Sequence, residues 1–184
     1  MRIVAGAHNG RPLVAPKGHS TRPTADRTRQ ALFNVLEHAA WARPLAGARI
    51  LDLFAGSGAL GLEALSRGAA FCLFVDHDQA ARAAIESNVA RLGCAASARL
   101  VERDVGRLGG RGAEAPFDIA FLDPPYGQDL AETALQALRT GAWLAEGAIV
   151  VVERGAGETP LAAPGFTPLD ERRWGAAQVS FLAA

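Results

Sequence analysis

The chain is short of cysteine and lysine: 184 residues contain Cys72, Cys94 and a single lysine, Lys17. Neither cysteine stands in a metal-ligand spacing, and Cys72 lies within an apolar run where it reads as a small buried hydrophobe. Neither a disulfide framework nor a metal site is expected. With lysine so rare, the basic surface must be built from arginine. Long hydrophobic runs are missing too. Hydrophobic residues make up 49% of the chain, yet no stretch approaches the roughly 20 residues of a membrane span. The opening Met1-Arg2-Ile3-Val4 lacks the apolar core of a secretion signal. There are no repeats, no low-complexity tract and no long linker. A monomeric protein in a reduced, cytoplasmic setting is expected.

Net charge is also absent, but the average hides an asymmetry. Residues 1–30 carry six basic groups (Arg2, Arg11, Lys17, Arg22, Arg27 and Arg29) against Asp26 alone, a net of +5. The remaining 154 residues carry 13 basic and 18 acidic groups, a net of −5. A basic arm on an acidic body suggests a polyanion held on one face. Arg22, Arg27 and Arg29 gather beside a helix start, which favours such a contact. The alternative is that these arginines are merely solvated, or pair with acidic groups of the body and dock the helix.

What is present is chemistry at strand ends. The apolar run Phe117-Asp118-Ile119-Ala120-Phe121-Leu122 meets Asp123-Pro124-Pro125-Tyr126, and two prolines cannot continue a sheet ladder. The chain leaves the sheet carrying a carboxylate, two stiff residues and an aromatic ring, a clamp suited to a planar amine-bearing ring. Upstream, Ile50-Leu51-Asp52-Leu53 runs into Phe54-Ala55-Gly56-Ser57-Gly58 and opens a helix. The spacing Gly56-x-Gly58-x-x-Gly61 fits any adenosine cofactor, including a nicotinamide dinucleotide. Asp76 ends the next apolar run, where a carboxylate reaches ribose hydroxyls, while Asp78 suits the cap of the following helix. Asp104 follows a third run and is placed either to touch an adenine amino group or to cap its own loop.

Along the chain, residues 1–15 read as two short strands around Asn9-Gly10, a hairpin signal. Residues 24–41 read as a helix with Thr24 as N-cap. Strands are expected near 49–53, 71–75, 98–102, 117–122, 147–153, 166–169 and 178–182. Helices are expected near 59–67, 78–92 and 129–140, the long one ending at Gly93. Apolar strands separated by helices imply a parallel sheet covered on both faces. The last two strands, joined through Arg172-Arg173-Trp174-Gly175, have no helix between them and must pair antiparallel. Pro168 restricts the first of them to an edge or a bulge. The expected fold is α/β and Rossmann-like: a mostly parallel seven-stranded sheet with helices on both faces and a terminal antiparallel hairpin. An N-terminal β-hairpin and helix (1–44) would precede the main domain (45–184). Ligands would collect at the carboxyl ends of the strands.

These residues together resemble the class I S-adenosylmethionine-dependent methyltransferases. More narrowly, the chain resembles the bacterial enzymes that methylate the exocyclic amine of a guanine in 16S ribosomal RNA. The narrow likeness rests on Arg2-Ile3-Val4-Ala5-Gly6 with Asn9-Gly10-Arg11-Pro12-Leu13, and on Arg22-Pro23-Thr24-x-x-Arg27-x-Arg29-x-x-Leu32-Phe33-Asn34-x-Leu36. It rests also on the pairing of Asp52-Leu53-Phe54-Ala55-Gly56-Ser57-Gly58 with Asp123-Pro124-Pro125-Tyr126. Gln30 and Asp76 depart from the family's more usual glutamates. The resemblance implies S-adenosylmethionine held by Asp52, Phe54, Ala55, Gly56, Ser57, Gly58, Asp76 and Asp104. It implies catalysis by Asp123, Pro124, Pro125 and Tyr126, and 16S rRNA or the small ribosomal subunit bound through Arg22, Arg27 and Arg29. An N6-adenine DNA methyltransferase would use the same clamp, though no segment is large enough for a separate DNA-recognition domain. A nicotinamide-dependent oxidoreductase or a non-catalytic nucleotide-binding module would use the glycine loop alone.

Overall fold

The computed structural model describes residues 1–16, 23–125 and 130–184, with Pro23, Thr24 and Ala25 described by backbone alone. Seven strands form one sheet: β1 (Arg49–Leu53), β2 (Phe71–Asp76), β3 (Ala98–Glu102), β4 (Phe117–Leu122), β5 (Leu144–Gly155), β6 (Thr167–Trp174) and β7 (Ala177–Ala183). Their order is β3-β2-β1-β4-β5-β7-β6. The first five run parallel, and β7 lies antiparallel between β5 and β6. Strand order reverses between β1 and β4, so the crevice at their carboxyl ends is the natural ligand position. The expected fold class is the one observed.

Alternation along each central strand loads both faces. Ile50, Phe74, Ile119, Phe121, Ile149, Val151 and Phe181 build one core under α1 (Pro23–His38), α2 (Ala59–Ser66) and α3 (Gln79–Leu92). Leu51, Leu53, Val75, Ala120, Leu122, Val150 and Val152 build the other, covered by α4 (Leu130–Thr140) and the loop to Leu108. A strand buried on both faces must be apolar at every position, which is why these runs read so clearly. A register shift between Phe117 and Ile119 moves Phe117 to the α4 face, where it stacks on Trp143 at 6.1 Å. Among the described residues no helix is long and apolar enough to cross a membrane.

Local capping works as expected at α3. Asp78 accepts the Ala81 N–H at 2.8 Å, and Gly93 takes the left-handed conformation at φ 68°. Three expectations need correction. The helix α1 starts at Pro23 with Thr24 inside its first turn, because proline suits the first helical position, where no N–H is needed. The terminal hairpin turns at Gly175-Ala176, so Arg172, Arg173 and Trp174 belong to β6. Such a charged edge strand carries no hydrophobic signal, and its charges discourage pairing with other chains. Pro168 does sit on this edge strand, at a register shift between Pro168 and Asp170.

The N-terminal hairpin is reduced to a single bridge, Arg2 to Pro12, with the Ile3 N–H donating to Arg11 and the Gly10 N–H to Ile3. The Leu13 N–H donates to Met1 across the same pair, while four other donors go to α2. Val4 and Ala5 donate to Glu63 at 2.8 and 3.0 Å, and Ala7 and His8 donate to Ser66. Gly6, at φ 79°, makes this approach possible: a Cβ there would lie 1.9 Å from the Ser66 carbonyl oxygen. The segment therefore folds onto the end of α2 instead of forming a ladder, and Ile3 and Leu13 join the core beneath α1.

Candidate active site

The glycine loop is held from below. Asp52, 1% exposed at the end of β1, accepts the Gly61 N–H at 2.9 Å and fixes the start of α2 beneath the loop. A Cβ on Gly61 would lie 2.4 Å from Phe74 and 2.5 Å from Cys72, so this glycine lets α2 rest on β2. Gly58 also faces inward: at φ 76°, its Cβ would press on Phe74, Ile85 and Leu62 at 3.2–3.4 Å. Its role in the structure is packing and conformation. Gly56 is different. A Cβ there would meet nothing nearer than the Phe54 carbonyl at 3.9 Å, so its backbone borders open space. Phe54 itself adopts φ 58° without being glycine, a strain of about 1–2 kcal/mol of the kind found where a loop is shaped for a ligand.

Asp76 serves this loop from the next strand. One oxygen accepts the Gly56 N–H at 2.8 Å and the other the Asp78 N–H at 2.9 Å. Asp104 is exposed and accepts the Gly106 N–H at 2.8 Å, which realises the loop-cap reading and leaves its second oxygen for other partners. Asn88 was not picked out from sequence. Fully buried on α3, it donates to the carbonyls of Ser57 and Val14 at 2.9 Å and accepts the Val14 N–H at 2.7 Å. It ties the loop to the N-terminal segment. The signal was available: an amide on a helix face otherwise apolar (Ala81, Ala84, Ile85, Leu92) must find buried partners.

A cleft of about 490 Å³ opens over the loop. Asp52, Phe54, Ala55, Gly56, Ser57 and Asp123 line it, while Asp76 and Asp104 lie at neighbouring strand ends outside that lining. Pro124 is buried and Pro125 exposed; Tyr126 lies outside the described residues. Two residues not foreseen join the cleft: Glu153, at the end of β5, and Trp174, at the end of β6. Leu122 pairs with Val152, so Asp123, where β4 leaves the sheet, neighbours Glu153, which is still paired with Val179 of β7.

Acidic crowding raises the proton affinity of the floor. Burial first, and then the Asp76 charge, lift Asp52 from its ordinary value of 3.8 to about 8, against the lowering effect of the Gly61 hydrogen bond. Desolvation and the carboxylates of Glu153 and Asp52 push Asp123 upward as well. Asp123 presents an exposed side chain to the cleft, so the two like charges are the better-founded cause there. For Asp52 the sign is definite. The folded state keeps the proton to a higher pH than the unfolded chain, so this group's contribution is fully present below 3.8 and lost as pH rises through about 8. Asp52→Asn keeps an acceptor for Gly61 and removes the titration. Its thermal midpoint is expected to gain on that of the parent protein as pH is raised from about 5 to about 8. A pH-independent difference between the two proteins would show that Asp52 stays ionised in the fold.

The expected RNA-contact arginines separate. Arg27 is exposed on α1, and Arg22 lies outside the described residues. Arg29 is 4% exposed: it pairs with Asp26 at 2.7 Å, approaches Glu63 at 3.6 Å and donates to the Arg2 carbonyl. Its guanidinium joins α1, the N-terminal segment and α2, and the residue also lines the cleft.

Comparison with known proteins agrees with this architecture. A family model described as "Conserved hypothetical protein 95" matches residues 1–183. The chain is 41% identical over 155 residues, 83% of its own length and 74% of the relative's, to Escherichia coli K12 "Ribosomal RNA small subunit methyltransferase D". It is 39% identical to Bacillus subtilis "Putative rRNA methyltransferase YlbH", covering 83% of this chain and 82% of that one. Among solved structures, "Putative methyltransferase yhhF" from Escherichia coli superposes with a TM-score of 0.85 at 35% identity, over 100% of this chain and 97% of that one. With the glycine loop, the Asp-Pro-Pro exit and the seven-stranded sheet all in place, the chain belongs to the conserved hypothetical protein 95 family, and its relatives include one named as a small-subunit ribosomal RNA methyltransferase.

Proposed function

We propose that this protein transfers a methyl group from S-adenosylmethionine to the exocyclic amine of a guanine in 16S rRNA, within an assembled or partly assembled small subunit. The observation that carries the reading is the meeting of Asp123 with the Gly56 loop in one cleft at the point of strand reversal. The names of the relatives favour ribosomal RNA over DNA or a nicotinamide substrate.

The residues present suit the cofactor. The open backbone at Gly56 leaves room for close approach, and Asp76 at the next strand end offers a carboxylate for ribose hydroxyls, with Asp104 beyond it for the adenine amine. When bound, S-adenosylmethionine supplies an electrophilic methyl group on an already activated leaving group. The chain's own task is positioning and electrostatics. A guanine amine is a poor nucleophile because its lone pair is delocalised into the ring. Asp123 and the Pro124 carbonyl would each accept one of its N–H groups, orienting the nitrogen and favouring a tetrahedral geometry as positive charge develops. The Glu153 carboxylate makes this region of the cleft favourable to positive charge, and ionised Asp123 would receive the proton the amine must release. Tyr126 would stack on the base. Such a clamp requires an unpaired or swung-out base, which suits an RNA loop better than a duplex. Residues 1–44 would form the RNA-contacting extension on a methyltransferase domain of residues 45–184.

The test uses small subunits isolated from a strain lacking the gene, incubated with the purified protein and labelled S-adenosylmethionine. Label in a single N2-methylguanine of 16S rRNA, located by nuclease mapping and mass spectrometry, is the expected result. Label in adenine, in another RNA or in none would overturn the assignment.

A further inference from the structure

We propose that the tip of the β6–β7 hairpin is a second contact for the RNA strand, Trp174 stacking on a base beside the acceptor guanine and Arg173 holding a phosphate. The inference rests on the RNA substrate proposed above and adds a site from the C-terminal hairpin to the cleft that the N-terminal arm also borders.

Topology brings this tip to the chemistry. β4 and β5 run parallel and end at the same edge of the sheet. β7 is antiparallel to β5, with Ala177 opposite Gly155, and so begins at that edge. β6 is antiparallel to β7, with Trp174 opposite Ala177, and so ends there. Trp174 and Ala177 accordingly line the cleft that holds Asp123 and Glu153. β6 stands three places along the edge from β4, roughly 14 Å at about 4.8 Å per strand. One groove can therefore hold the acceptor base at Asp123 and a neighbouring base at Trp174.

The character of the tip fits that ligand. Trp174 is half-buried, packed in part against the core beneath α1 and open in part to the cleft, so the ring is held in place while offering a surface. Base–aromatic stacking of this kind tolerates any base. Gly175, at φ 64°, would place a Cβ in open space, so nothing shields the turn.

Charge sets the path of the backbone. Glu153 and, once ionised, Asp123 line the cleft and repel phosphate, which confines the sugar-phosphate chain to the rim. Two exposed arginines stand next in sequence to cleft-lining residues: Arg27 beside Thr28 on α1, and Arg173 beside Trp174 on the other face of the edge strand β6. Neither side chain makes a hydrogen bond or ion pair among the described residues. Their neighbours are committed: Asp170 holds Arg172 through two bonds of 3.0 and 2.8 Å, and Arg29 is buried. Arg173 is thus the cation the hairpin has to offer a phosphate, and a single arginine in that role positions RNA without reading its sequence.

The experiment measures binding of the full-length protein to unmethylated small subunits and to a single-stranded guanine-containing oligoribonucleotide, over a series of salt concentrations. Arg173→Gln is expected to reduce the slope of log affinity against log salt by roughly one unit. Trp174→Ala is expected to weaken binding at least about tenfold, with Trp174→Phe recovering most of it and S-adenosylhomocysteine affinity unchanged in all three variants. Arg173 is exposed, so its variant remains informative even if Trp174→Ala fails to fold. Unchanged slope in Arg173→Gln, with Trp174→Phe no better than a folded Trp174→Ala, would overturn the hairpin contact while parent-protein methylation still stood. A parent protein that neither binds nor methylates RNA would instead remove the proposed function, and this inference with it.

Discussion

Asp123→Ala is expected to reduce methyl transfer by about 10²–10³-fold while leaving S-adenosylhomocysteine affinity within a few-fold of the parent. The magnitude is that of losing one preorganised hydrogen-bonding group aimed at developing charge. The split follows from position. Asp123 stands at the exit of β4, whereas Gly56 and Asp76 are held at β1 and β2 by their own hydrogen bonds. Activity should also rise with pH through the range where Asp123 ionises. Desolvation and the Glu153 and Asp52 carboxylates raise its pKa, so the ionised, proton-accepting form appears later than for an ordinary aspartate. Single-turnover rates across a pH series, beside calorimetry of cofactor binding, check both statements. Near-normal turnover in Asp123→Ala would dismiss the clamp.

Glu63→Ala is expected to cost about 3–5 kcal/mol of folding stability, the loss typical of stranding buried partners of a charge. Glu63 is completely buried on α2. It accepts the N–H groups of Val4 and Ala5, bonds the Arg67 Nε at 2.8 Å and lies 3.6 Å from the Arg29 Nε. Arg67 in turn reaches Glu37 at 3.0 Å and lies over the Phe33 ring at 4.8 Å. Removing the carboxylate would leave two backbone donors and the Arg67 Nε without their acceptor, and take a counter-charge from the nearly buried Arg29. Glu63→Gln should fall between the two, keeping an acceptor but losing the charge. Denaturant unfolding measures the series, and a loss below about 1 kcal/mol in Glu63→Ala would mean that water replaces the carboxylate cheaply.

That network shows what charge alone left open about Arg29. A cluster of arginines near a helix start has the same one-dimensional appearance whether it faces phosphate or a buried glutamate. Arg29 finds its partner 34 residues away on α2, and nothing local to either residue reports the encounter. Glu153 and Trp174 were hidden in the same way. Each looks like an ordinary strand residue until β5 and β6 are seen to end at the edge where Asp123 leaves β4. Gly56, Gly58 and Gly61 share one motif, yet one borders open space and two pack against α3 or β2.

By itself the sequence determined what depends on neighbours along the chain. Continuous apolar runs specified the buried parallel strands, Asp78 and Gly93 the ends of α3, and two prolines the exit of β4 beside its carboxylate. These follow from pleat, capping and the missing proline donor, all settled within a few residues. Tertiary structure decided which residues meet: Glu63 with Val4 and Ala5, Asn88 with Ser57, Trp174 with the cleft of Asp123. It also decided that the N-terminal segment divides its donors, Val4, Ala5, Ala7 and His8 giving theirs to α2 while Ile3, Gly10 and Leu13 bond within the hairpin. The physical reason is burial, which makes every enclosed donor and charge find an acceptor. Which acceptor is within reach depends on strand order and register rather than on distance along the chain.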